Sequence, residues 1–121
     1  MRLNEVSFDS AVRPVDSYGP GFFRVAGEVI QGNALLLPDA ISPWSGFDDL
    51  SAILAVADQI DVVFFGMGPE IAHIPETVRD TLEAAGLGVE LMSTPTACRT
   101  YNVLLSEGRR IAAALLAMPD R

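Results

Sequence analysis

The sequence predicts a single α/β domain in three layers, its mixed sheet built from an amino-terminal antiparallel β meander and a carboxyl-terminal αβαβαβ unit. Three observations lead there. Glycine-rich turns at Tyr18-Gly19-Pro20-Gly21, Ala26-Gly27 and Gly32-Asn33 divide the first third into short apolar runs. From Phe47 onward, segments with helical spacing alternate with short, continuous apolar runs. Half of the 121 residues are apolar and only 20% are charged, which supplies enough apolar surface to offset the entropy of ordering the chain. A chain of this size buries roughly two-thirds of its unfolded surface, so one domain spanning residues 1–121 and one core are expected.

Taken in order, Phe22 to Val25, Glu28 to Ile30 and Ala34 to Leu37 have the spacing of meander strands. Pro38 and Pro43 break that pattern. Asp48-Asp49 stand where carboxylates favour a helix start, and Leu50, Ile53, Leu54 and Ala57 fall on one face of a helix over about Phe47 to Ala57. Asp61 to Gly66 is β-branched and aromatic, as in a strand buried on both faces. Pro75 suits the first position of a helix that carries Val78, Leu82 and Ala85 on one side and stops at Gly86. Gly88 to Met92 reads as the next strand. Thr94 then caps a third helix, with Pro95 in its first position and Gly108 at its exit. Arg110 to Leu116 is contested: Ala112, Ala113 and Ala114 favour helix by propensity, whereas connection logic favours a strand. The sequence is read as a strand here, and right-handed crossovers then give a mainly parallel sheet.

Composition narrows the chemistry. The formal charge of −8 opposes nucleic acid and anionic lipid as partners. All eight basic residues are arginine, which removes lysine Schiff-base chemistry and the ordinary P-loop. One cysteine, Cys98, and one histidine, His73, exclude an intrachain disulfide and a Cys/His zinc cluster within one chain. Neither cofactor nor metal is expected. The longest apolar run, Ile111 to Met118, falls far short of the ~20 residues of a membrane helix, so no membrane insertion is expected. The amino terminus, MRLNEVSFDS, lacks the apolar stretch of a secretory signal, and the expected location is the cytoplasm.

One edge of the sheet draws attention. If the strands ending at Gly66 and Met92 are parallel neighbours, the loops after them emerge together, where open α/β sheets bind ligands. The candidate ligand-binding residues are Gly66, Met67, Gly68, Thr94, Thr96, Cys98, Arg99 and Thr100. Backbone donors, hydroxyls and a guanidinium would converge there on an anion. The competing reading is that Thr94 merely caps the helix, Arg99 pairs with a carboxylate, and the glycines let the chain turn. Cys98 is either a thiolate activated by the helix dipole and Arg99 or a buried structural residue; its neighbours Tyr101, Leu104 and Leu105 look like core. His73 reads as a surface or packed loop residue, and Trp44 as an aromatic that closes the core. Glu107 stands in reach of ion pairing with Arg109-Arg110, of small energetic weight if exposed.

The segment TACRTYNVLLSEGRRIAAALL, with Tyr18-Gly19-Pro20-Gly21-Phe22, the LLLP run at Leu35 to Pro38, Trp44 and Gly66-Met67-Gly68, resembles a family of small domains. That family includes mitochondrial complex I assembly factor 3 and the adipogenesis-associated domain protein of animals. The resemblance covers nearly the whole chain. It implies a three-layer α/β fold with a mixed sheet, no established enzyme activity, and action through other proteins. Its signature falls on Gly66, Gly68, Thr94, Ala97, Cys98, Arg99, Thr100, Tyr101, Asn102, Leu105, Glu107 and Arg109. Met67 stands where relatives often carry threonine, and Ser93 where they often carry an acid; both departures weaken a catalytic role at that edge. The sequence therefore favours a non-catalytic protein-interaction or assembly domain whose partner is another protein. The alternative is an anion- or nucleotide-binding protein or enzyme at the Gly66 to Pro69 and Thr94 to Arg99 edge. Catalytic residues, partner identity and oligomeric state are not legible at this level.

Overall fold

The computed structural model describes residues 13–120, so the amino-terminal stretch read above lies outside the described residues. Two sheets form. β1 (Val15–Gly19), β2 (Phe22–Val25) and β3 (Glu28–Gln31) make a small antiparallel meander. The second sheet combines β4 (Ala34–Leu37), β5 (Ala40–Pro43), β6 (Val62–Gly66), β7 (Gly88–Met92) and β8 (Ile111–Leu115), in the order β5-β4-β8-β6-β7. The last three strands are parallel, while β4 lies antiparallel to both β8 and β5.

The mixed α/β class is as expected, with one change in the meander. Ala34 to Leu37 leaves it to pair with β8, and two strands absent from the sequence reading, β1 and β5, take up the slack. Residue type explains both omissions. In β1 only Val15 is fully buried, so there is no apolar alternation to read, and β5 is a four-residue edge strand that ends in Pro43, where a missing N–H is harmless.

β8 resolves its contest in favour of strand. It is central, with all five residues buried, and its small side chains fit between layers on both faces. Ala112 and Ala114 face one cluster, together with Leu35, Val63, Phe65, Trp44 and residues of the two helices α1 (Ser51–Ala55) and α2 (Glu76–Ala84). Ile111, Ala113 and Leu115 face the other, with Phe64, Phe23, Val25 and helix α3 (Thr94–Ser106). The sheet thus divides the interior into two apolar clusters, one on each side, and makes the middle of three layers.

α1 is shorter than predicted. Gly46 to Leu50 forms a turn in which the Asp49 carbonyl accepts the Trp44 indole N–H at 3.0 Å, and Asp49 Oδ1 accepts from Ser51 Oγ at 2.8 Å. The helix starts only at Ser51, and a 3-10 turn at Ala57–Gln59 follows it. Ile53, Val56 and Ile60 are the residues buried, whereas Leu54 is 37% exposed. Trp44 does close the core, packed edge-on against Phe47 and tilted against Phe65. α2 begins one residue after Pro75, which holds the cap position, and Gly86 ends it at φ +88°, a conformation that disfavours any side chain.

Candidate functional site

β6 and β7 are parallel neighbours, so the loops after Gly66 and Met92 do emerge at one edge. What they build there is a joint. The Thr94 hydroxyl accepts from the Gly68 N–H and donates to the Leu116 carbonyl, each at 2.8 Å. Backbone bonds flank it: Thr94 N–H to the Gly68 carbonyl at 2.7 Å, Met67 N–H to that of Met92 at 2.8 Å, and Leu116 N–H to that of Gly66 at 2.8 Å. One side chain thereby ties the β6 loop, the start of α3 and the end of β8. Thr94 is 0% exposed.

This changes the role assigned to Thr94. The helix cap is Ser93, whose Oγ accepts from the Thr96 N–H at 3.3 Å, so Thr94 and Pro95 sit one place further in than expected. Ser93 can cap because its backbone is extended there, the conformation typical of a capping residue. Glycine at 66 is required by space: a Cβ would lie 2.9 Å from both Leu115 Cδ2 and Thr94 Oγ1. At Gly68 the demand is conformational, with φ at +93°.

The remaining candidates lie along α3. The Arg99 guanidinium is exposed and donates to Thr96 Oγ1 at 3.3 Å. Among the described residues no carboxylate lies within ion-pair distance of it. Arg99, Thr100, Val103 and Leu104 line a shallow concavity of about 330 Å³ on the outer face of the helix. The structure thus brings Gly66, Gly68 and Thr94 together in the joint and sets Arg99 and Thr100 on a surface apart from it. Cys98 is 4% exposed in the inner cluster. Burial pushes its thiol up to about 11, against a smaller lowering by Arg99, so the thiolate at neutral pH is suppressed. His73 is exposed in the loop before α2, and Arg110 pairs with Asp61 at 3.4 Å, in place of Glu107.

Sequence reasoning gave no side-chain role to Asn102 and placed Asn33 only in a turn. Asn102 clamps Val15 by accepting from its N–H and donating to its carbonyl, both at 2.8 Å, and so docks the small sheet against α3. Asn33 Oδ1 accepts from the Ala117 N–H at 2.8 Å. The only hint in the sequence was Asn102's membership of the family signature.

The family model described as a protein of unknown function (DUF498/DUF598) matches residues 15–116. The chain belongs to this family. A Rhodobacter capsulatus relative, an uncharacterised protein, is 54% identical over 98% of this chain and 95% of its own. NADH dehydrogenase [ubiquinone] 1 alpha subcomplex assembly factor 3 of Danio rerio is 34% identical over 91% of this chain and 67% of its own, so about a third of that protein lies beyond the match. The crystal structure of an outer membrane protein from Bartonella henselae superposes with a TM-score of 0.82 at 38% identity, covering 88% of this chain and 95% of that one. Among the described residues, no helix is long and apolar enough to cross a membrane. The family resemblance and the mixed-sheet α/β fold read from the sequence therefore hold, and the family's matched region contains the whole Gly66–Thr94–Leu116 joint.

Proposed function

We propose that the chain is a non-catalytic protein-interaction or assembly domain that works by holding another protein during construction of a larger complex. The observation that supports this most is the Thr94 joint at the carboxyl end of the parallel strands. That end is where α/β sheets hold substrates, and here the Thr94 hydroxyl spends both of its hydrogen bonds on the fold. Kinship with a complex I assembly factor points the same way.

The contact surface in this reading is the outer face of α3. Val103 is 55% exposed there, beside Leu104 and the Arg99 guanidinium. Such a patch suits a protein that presents an apolar side chain next to a carboxylate: burial of the first supplies affinity, and pairing of the second with Arg99 fixes the orientation. Tagged full chain recovered from its native cell should carry one stoichiometric protein, and Val103→Asp should reduce that recovery about tenfold or more while the far-ultraviolet circular dichroism stays unchanged. Recovery of no stoichiometric partner would contradict the proposal. A rise in melting temperature with anions or nucleotides that Arg99→Ala abolishes would favour the small-molecule alternative.

A further inference from the structure

The fold carries a second concavity at the opposite end of the sheet. Beside the amino end of β8, where α3 exits and β4 finishes, a cavity of about 230 Å³ opens. Leu37, Leu105 and Ile111 supply apolar wall, the Tyr101 side chain lines it, and Arg109 and Arg110 stand among its lining residues. The two arginines differ. Arg110 is engaged by Asp61 Oδ1 at 3.4 Å and the Asp58 carbonyl at 3.0 Å. Arg109 is exposed, and among the described residues no carboxylate lies within ion-pair distance of it.

Tyr101 supplies the independent clue. It is 2% exposed, yet among the described residues its hydroxyl has no hydrogen-bond partner. Buried hydroxyls are nearly always partnered, because an unmatched one forfeits its hydration without recompense. Burial pushes the phenol up to about 12, so it stays an O–H donor at neutral pH, and the Arg109 guanidinium stands among the lining residues of the same cavity. An acceptor with negative charge meets both conditions. The apolar wall of Leu37, Leu105 and Ile111 suits a short aliphatic chain attached to that acceptor.

We propose that this cavity binds a short aliphatic monocarboxylate, its chain against Leu37, Leu105 and Ile111 and its carboxylate accepting from the Tyr101 hydroxyl beside the Arg109 guanidinium. A planar carboxylate uses a guanidinium and an O–H donor together, and a charge-assisted bond to a buried hydroxyl is stronger than a neutral one. A neutral ligand of the same shape leaves Arg109 unmatched. The site stands apart from the outer face of α3 that the assembly reading uses, so either can fail without the other.

The test is a titration of the full chain with sodium hexanoate, followed by backbone amide NMR. Saturable shifts are expected at Leu37, Leu105 and Ile111, with hexanamide binding at least about tenfold more weakly. Tyr101→Phe should weaken hexanoate about tenfold, as loss of a hydrogen bond to a charged group requires. Arg109→Gln changes an exposed residue that the fold does not use, so it remains informative if Tyr101→Phe fails to fold; it should weaken binding about threefold. The proposal is overturned if millimolar hexanoate gives no saturable shift at these residues, if hexanamide binds equally well, or if Arg109→Gln leaves the affinity unchanged.

Discussion

Replacing Thr94 by valine removes one hydroxyl and keeps the shape, which isolates the joint at the sheet's carboxyl end. Two groups then lose a partner. The Gly68 N–H is buried and loses its acceptor at 2.8 Å, and an unsatisfied buried donor costs about 1–3 kcal/mol. The Leu116 carbonyl is part-buried and regains some hydration, so its loss adds about 0.5–1 kcal/mol. The added methyl lies in a fully buried position and recovers about 0.8 kcal/mol at most. The net expectation is a destabilisation of about 1–3 kcal/mol. Urea denaturation should show the transition midpoint lowered by about 1 M with an unchanged slope, since the surface exposed on unfolding is the same. Thr94→Ser retains the hydroxyl and serves as the control, losing only what a buried methyl contributes, about 1 kcal/mol. A Thr94→Val protein as stable as the parent would refute the reasoning, because the hydroxyl would then not be what holds β6, α3 and β8 together.

Three further outcomes follow from the same geometry. Gly66→Ala forces a methyl to within 2.9 Å of Leu115 Cδ2 and Thr94 Oγ1, and should cost about 1–3 kcal/mol in the same urea assay. Cys98 should label far more slowly in the native state than after denaturation. Its folded pKa, about 11, lies above its ordinary 9.0, so its contribution to stability is fully present below about pH 9 and is lost as pH rises towards 11; Cys98→Ser should flatten the stability profile between pH 9 and 10, below the range of Tyr101. Asn102→Ala unclamps Val15 from α3, and the lost pair of bonds should cost about 1–3 kcal/mol, with hydrogen exchange accelerated selectively in β1 and β2.

The carboxyl-terminal two-thirds was legible because each element carries its own signal. β6 is a continuous apolar run, β7 matches its predicted span, and α2 and α3 are bracketed by proline near the start and glycine beyond the end. The first third was less legible for a physical reason: strands of four or five residues with one or two buried side chains have no periodicity to detect, and the pairing of Ala34–Leu37 with β8 is set by residues some eighty positions away. The candidate site shows the same divide. The meeting of the two loops at one edge was readable from topology, but the direction of the Thr94 side chain was not, because its acceptor, Leu116, arrives only with the last strand. Likewise Asn102 reads as an ordinary polar helix residue until β1 is laid beside it, 87 positions away in sequence. The family resemblance agreed with that fold class and added the kinship, and left these side-chain roles to the structure.

The central claim is that α3 presents its outer face to another protein, and the most direct measurement is site-specific photocrosslinking in the native cell. A photoreactive residue at position 103, where Val103 is exposed, is compared with one at position 83, the exposed Glu83 on α2. The account predicts a single crosslinked protein from position 103 and none from position 83. Equal crosslinking from both positions, or none from 103, would contradict it.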